Sequence, residues 1–342
     1  MNKVHIGESV RRTEDQRFLT GSGTYIDDLN PDGVVHGLVV RSPYAHARIN
    51  GFDATEARAL DGVLLVLTGE DWKALGHGPI PTKSAVKENR DGTPIAVPER
   101  PCLAFDRVRY VGEGVAFIVA ETLAIAREAA EILEVDYDPL DAVTHPVKTL
   151  EPGAPQLHEG IDGNLCVDWE LGDREATDAA MAAADHVVTL ELHNNRVTGA
   201  PIEPRGALAD HDAATDSYTL HQTTQNIHAI RATYADMLGI DKDRIHHLAP
   251  DVGGGFGAKN SVYPEPALCL YATKQVGRPV KWVNDRSESF LSDTHGRSQY
   301  TTVELGLNAD GKFQALRTTT VGELYQSAKT IIDGPNRVAR WT

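Results

Sequence analysis

The stretch Asp251-Val252-Gly253-Gly254-Gly255-Phe256-Gly257-Ala258-Lys259 sits between a short apolar run at residues 245–248 and a segment opened by Pro264 and Pro266 and closed by Gly277. The run reads as a strand. The segment reads as a helix over 264–276, with proline at its start and glycine at its stop. A glycine cluster between a strand and a helix start lets backbone N–H groups converge on an anion, because no Cβ blocks the approach. Gly253-x-Gly255-x-x-Ala258 satisfies a dinucleotide fingerprint, and Asp285 follows the next strand-like run, 280–283. Pro250 and Asp251 count against it, since that fold needs a strand running straight into the glycines. A P-loop is excluded: Ala258 stands where glycine should precede Lys259, and Asn260 where serine or threonine should follow. From the residues alone three uses stay open: a nucleotide loop, a structural turn, or a loop for another phosphate-bearing cofactor.

Working outward, residues 34–40, 63–67, 115–119 and 134–137 read as strands. Residues 53–60 and 121–133 read as helices, the second with Leu123, Ala126, Ala130 and Leu133 on one face. Residues 76–101, rich in glycine and proline, form a long loop. The stretch 150–163 contains Pro152, Gly153, Pro155 and Gly160 and reads as a linker. Beyond it come a helix at 175–184, an alternating strand at 186–192 and a strand at 218–222. A helix at 228–238 buries Ile230, Tyr234, Met237 and Leu238 and stops at Gly239. A hairpin joins 300–307 to 313–319. The expectation is an α+β protein with domains at 1–149 and 164–342 separated by the linker.

With 342 residues, 41% hydrophobic and 24% charged, the chain has the balance of an ordinary globular protein, not a disordered or collagenous one. Its net charge of −16 repels phosphate backbones and no basic patch offsets it, so no nucleic-acid partner is expected. No apolar run approaches the roughly 20 residues of a membrane span, and the first residues carry no secretory h-region. Cys102, Cys166 and Cys269 are odd in number and far apart, which suits the cytoplasm and argues against a disulfide framework. They are also too few for an iron–sulfur cluster, which needs about four thiolates. His246 and His247 point to opposite sides of a strand, and His221 and His228 lack zinc spacing, so no metal ligand is expected in this chain. Glu203 and Arg205, set among prolines in Pro201-Ile202-Glu203-Pro204-Arg205, suggest a buried ion pair.

Taken together, several motifs resemble the large, molybdopterin-binding subunit of the molybdenum hydroxylases, the family of xanthine dehydrogenase, aldehyde oxidase and aerobic carbon monoxide dehydrogenase. Residues 11–28 (RRTEDQRFLTGSGTYIDD), 41–49 (RSPYAHARI) and 108–113 (VRYVGE) resemble that subunit's α/β hammerhead domain. Residues 201–205, Thr224-Gln225-Asn226, the loop 253–259 and 281–288 (KWVNDRSE) resemble the first part of its molybdopterin-binding α+β domain. The resemblance runs from Gly7 to about Arg317.

It implies that Gln225 supplies an amide hydrogen bond to an oxygen ligand of molybdenum, and that Gly254, Gly255, Phe256 and Gly257 lie against the cofactor. Asn260 takes the place of a purine-orienting glutamate, so it is a substrate-pocket candidate and purine becomes the less expected substrate. The implied cofactor is molybdenum–molybdopterin, in its cytosine dinucleotide form. The implied reaction is hydroxylation or oxidation of a small aldehyde, heterocycle or CO-like substrate, with water as the oxygen source. Electrons would pass to 2Fe-2S centres and FAD on partner subunits, an iron–sulfur small subunit and an FAD-binding medium subunit, in a hetero-oligomer. The family chain is roughly twice as long and carries its general-base glutamate near the far end, so no catalytic residue is expected in this chain. The competing expectations are a non-catalytic remnant or assembly fragment and, more remotely, a nicotinamide-dependent enzyme.

Overall fold

The computed structural model describes residues 6–7, 9–82 and 86–323, and the backbone of 338–341. Gly114–Ala120 is buried at all seven positions, so it needs a neighbour on each edge and cover on both faces. Val35–Arg41 and Val63–Thr68 pair with it antiparallel, one on each side. Val35–Arg41 then pairs parallel with Val280–Val283 through Val35–Val280 and His36–Lys281. The sheet thereby continues into residues on the far side of 150–163, where Gly206–Asp212, Ser217–Gln222 and Ile245–Leu248 complete seven strands.

Side-chain alternation sends Ala116, Ile118 and Ala120 to one face and Phe117 and Val119 to the other. Leu123–Ile132 covers the first face, capped by Thr122, whose hydroxyl accepts from the Ile125 N–H. Ala126, Ala129 and Leu133 are buried there, whereas Leu123, expected on that face, is exposed. The other face is covered by Ile227–Leu238 and Pro264–Val276. The second of these is buried nearly all round, as a helix enclosed in a core must be. One core holds Val35 and Phe117 together with Leu220, Tyr234, Leu268 and Trp282.

Three smaller sheets surround this centre. The largest has the order Asp168–Leu171, Val338–Trp341, Phe313–Gly322, Gln299–Leu307, His186–Asn194. A Cβ on Gly306 would lie 3.1 Å from Met181 Sδ, and Arg317 bonds both Glu304 and Asp178, so Arg174–Ala183 covers the face that carries Gly306 and Glu304. Register places Val188, Leu190, Leu192, Leu305 and Leu316 on the opposite face. Val188, Leu190, Leu192 and Leu316 are exposed there. The alternation of 186–192 does produce a strand, but its apolar side has no cover among the described residues. No helix among them is long and apolar enough to cross a membrane.

A buried ion network ties a strand from the first part of the chain to residues 205–293. Arg205, 3% exposed, donates to Asp293 Oδ1 at 2.6 Å and to Glu265 Oε2 at 2.7 Å. Arg41 donates to Glu265 Oε1 and Glu288 Oε1, each at 2.7 Å. Glu203 and Arg205 do not pair with each other: Glu203 bonds Lys259 and Arg205 bonds the acids of 265–293. Residues 201–205 bend outside any strand, so closeness in sequence does not put the two side chains on one side, and each meets its counter-charge from a distant part of the chain.

Burial pushes the Glu265 carboxyl up, but Arg205 and Arg41 outweigh it and hold it at about 2, below its ordinary 4.5. A depressed carboxyl stabilises the fold above its unfolded value, and that contribution is lost as pH falls from 4.5 towards 2. Glu265→Gln should cost about 3–5 kcal/mol near neutrality, because it strands buried guanidinium charge. Urea unfolding of wild type and variant should show that gap narrowing as pH is lowered through this window. A gap independent of pH would contradict the assignment.

Candidate functional site

The glycine loop leaves the sheet after Ile245–Leu248 and is strapped down at several points. Arg17 bonds both carboxylate oxygens of Asp251, and the Thr24 N–H donates to Asp251 Oδ2 at 2.7 Å. The hydrogen bond from Arg17 holds the Asp251 carboxyl below its usual value. Gly253 faces Glu203: its N–H donates to Glu203 Oε2 at 2.7 Å and its carbonyl accepts the Glu203 N–H at 3.2 Å. A Cβ at Gly253 would fall 2.5 Å from Glu203 Cβ, so only glycine allows this approach.

Gln225 is brought to the loop by the turn between Ser217–Gln222 and Ile227–Leu238, a helix capped by Asn226. The Gln225 N–H and the Thr224 hydroxyl both donate to the Lys259 carbonyl at 3.1 Å. Gln225 Oε1 accepts the Gly257 N–H at 3.0 Å. With its oxygen engaged, the carboxamide has its NH2 group left to donate outward. Gly255 lies directly against this side chain, where a Cβ would come within 2.4 Å of Gln225 Cδ. The N–H groups of Gly254, Gly255 and Phe256 donate to no group among the described residues. Three such donors beside an amide make a receptor for oxygen or anionic atoms without any net side-chain charge.

Phe256 is 75% exposed and holds φ 49°, a conformation uncommon for a residue with a Cβ. Its ring lies over Gly254, where a Cβ would come within 3.0 Å of it. The segment after the loop is a 3-10 turn, Ala258–Asn260, and the α-helix begins only at Pro264. The glycines therefore do not open a helix as the sequence suggested, and no helix N-terminus adds its dipole to the receptor. Lys259 is turned inward, 1% exposed, with its ammonium 3.0 Å from Glu203 Oε2, away from the open side of the loop. Asn260 follows, with its N–H on the Gly257 carbonyl at 3.2 Å and its Oδ1 buried without a partner among the described residues.

Sequence reading brought Gln225, Gly254–Gly257 and Asn260 to one place, and the structure keeps them together. It singled out Glu203 but paired it with Arg205 and not with Gly253 and Lys259, and it missed the Arg17–Asp251 strap, whose partners lie too far apart in sequence for local rules to pair. No group of three or more His, Cys, Asp or Glu suited to a metal occurs among the described residues. The three thiols are buried, and burial pushes Cys166 up to about 11 and the other two higher still. His247 donates Nδ1–H to the Ile227 carbonyl at 3.0 Å, which fits a core histidine. A separate cavity of about 460 Å³, lined by Val111, Leu150, Leu157, Leu165, Phe290 and others, is mainly apolar. The guanidinium of Arg109 at its wall is engaged by the carbonyls of Leu157 and Arg107.

Residues 157–330 match the molybdopterin cofactor-binding domain, and residues 20–141 match the aldehyde oxidase and xanthine dehydrogenase a/b hammerhead domain. The nicotine 6-hydroxylase large subunit of Paenarthrobacter nicotinovorans is 38% identical over 318 residues, covering 92% of this chain and 37% of that protein. The carbon monoxide dehydrogenase large chain of Afipia carboxidovorans is 37% identical over 324 residues, covering 91% of this chain and 39% of that one. The crystal structure of quinoline 2-oxidoreductase from Pseudomonas putida 86 superposes with a TM-score of 0.85 at 36% identity, over 93% of this chain and 39% of its own. The chain thus spans about two fifths of the length of these relatives.

Gly255→Ala should displace the Gln225 carboxamide and break its bond to Gly257 with little effect on the surrounding sheet, since Gly255 itself needs no unusual φ. Hydrogen exchange should then speed up at Gly257 by about tenfold, the loss of a hydrogen bond worth ~1 kcal/mol or slightly more. Unchanged exchange at Gly257 would show that the side chain is not held as described.

Proposed function

The chain belongs to the molybdopterin-binding large subunits of the xanthine dehydrogenase, aldehyde oxidase and aerobic carbon monoxide dehydrogenase family, and we propose that its Gln225 and Gly254–Gly257 hold one side of a molybdenum–molybdopterin cofactor. The observation that carries this is the engaged Gln225 Oε1: it leaves an NH2 donor beside three N–H groups that donate to nothing among the described residues, in a cradle that a Cβ at Gly255 would fill. An oxygen-rich, anionic group fits that donor set. A nicotinamide dinucleotide fits poorly, because the strand–glycine–helix geometry it needs is missing.

When bound, the cofactor supplies two-electron redox chemistry with water as the source of oxygen. Gln225 donates to an oxygen of the bound group and orients it. The backbone of Gly254 and Gly255 approaches as closely as bare glycine permits, and Phe256 shields that side from water. Asn260, neutral where a carboxylate would orient purine, favours a small aldehyde, heterocycle or CO-like substrate. The general-base glutamate lies outside this chain, so turnover requires the remainder of the catalytic unit. The apolar face of the sheet around Leu190 and Leu192, which no described residue covers, supports docking of such a remainder. Partner subunits would carry the 2Fe-2S centres and FAD, in a cytoplasmic hetero-oligomer, with the cofactor in its cytosine dinucleotide form.

The test is molybdenum per chain, by elemental analysis of protein purified alone and after co-expression with sister subunits. Near one metal per chain is expected in the co-expressed preparation, and Gln225→Ala should lower it several-fold. Absence of molybdenum from every preparation would support the alternative of a non-catalytic assembly fragment. Unchanged loading and turnover in Gln225→Ala would remove Gln225 from the site.

A further inference from the structure

Glu203 Oε2 accepts from two groups at once: the Gly253 N–H at 2.7 Å, where the loop begins, and the Lys259 ammonium at 3.0 Å, just beyond its end. Lys259 has no other hydrogen-bond acceptor among the described residues, and its side chain is 1% exposed. Its carbonyl meanwhile receives the Thr224 hydroxyl and the Gln225 N–H, so the residue that closes the loop also seats the amide-bearing turn. One carboxylate oxygen therefore fixes the separation of the loop's ends, and through Lys259 the distance from the loop to Gln225.

We propose that Glu203 and Lys259 are positioning residues that set the geometry of the cofactor-facing N–H groups, acting through Gly253 and Gln225 and touching no ligand themselves. The inference rests on the cofactor reading of the loop for its purpose, but its structural content stands apart from it. A glycine-rich loop is the least restrained backbone available, because glycine loses more conformational freedom on folding than any other residue. Holding such a loop open, with three donors that meet no acceptor among the described residues, needs restraint from outside it. A charge-assisted hydrogen bond at each end provides that restraint. Lys259 in this role is a clamp and not a phosphate ligand, which also explains why the lysine after the glycines does not follow the P-loop pattern.

The test uses the full chain co-expressed with its sister subunits, and reads peptide-level hydrogen exchange alongside molybdenum content. Glu203→Met combined with Lys259→Met removes both charges at nearly constant volume, so no buried ion is stranded and overall stability should survive. If the pair positions the loop, exchange over residues 250–258 should accelerate roughly 10- to 100-fold, the loss of a hydrogen bond to a charged group. Exchange over 206–212 and 264–276 should stay as in wild type, and molybdenum loading should fall. Lys259→Arg, which keeps the cation, should preserve both loop protection and loading. Wild-type exchange at 250–258 in the double variant would overturn the proposal, as would acceleration spread evenly over the chain, which marks a general scaffold role. If wild type itself carries no molybdenum, the cofactor reading fails, and the exchange result still decides whether the pair pins the loop.

Discussion

Everything around the loop depends on one buried contact, that of Arg205 with Glu265. Taking both ions out of water costs several kcal/mol each, and the contact offsets that only because each partner's remaining hydrogen-bonding capacity is also met. Asp293 and Ser292 take further Arg205 donors, while Arg41 takes the second oxygen of Glu265. The Tyr263 ring lies 3.7 Å from the guanidinium carbon and Trp282 at 5.2 Å, which adds cation–π attraction in a dry setting. Glu265 is also in the first turn of Pro264–Val276, where the helix dipole favours a negative charge.

This network bears directly on the site. The Tyr263 hydroxyl, beneath Arg205, donates to the Ala258 carbonyl at 2.8 Å. The loop is therefore anchored to the ion cluster on one side, to Glu203 and Lys259 underneath, and to Arg17 through Asp251 at its start. Arg41 brings a strand from the first part of the chain into the same cluster, so the seam between Val35–Arg41 and Val280–Val283 is held by charge as well as by backbone pairing. Attachment on three sides leaves Phe256 and the Gln225 amide facing out, the arrangement that the proposed cofactor role requires.

Legibility in the sequence followed how local each signal was. The helix 264–276, with prolines at its start and Gly277 at its end in the left-handed region, was readable because caps are decided by neighbouring residues. Gly206–Asp212 was not: glycine, alanine and aspartate are poor strand formers, and this strand exists because Ser217–Gln222 and Val280–Val283 flank it and its first four residues are buried. Glu203 and Arg205 looked like partners because they are close in sequence, yet each found its counter-charge 50 or more residues away.

By itself, the sequence determined the longer elements and the glycine loop, since turn chemistry and periodicity act over a few residues; the set Gln225, Gly254–Gly257 and Asn260 followed only from the resemblance of its motifs to a known family. Tertiary structure alone decided which oxygen of which side chain meets which N–H. It placed Lys259 inward on Glu203, turned the Gln225 NH2 group outward by engaging its oxygen, and joined the two parts of the chain into one sheet. Those outcomes depend on desolvation and on distances between residues far apart in the chain, and no local pattern records either.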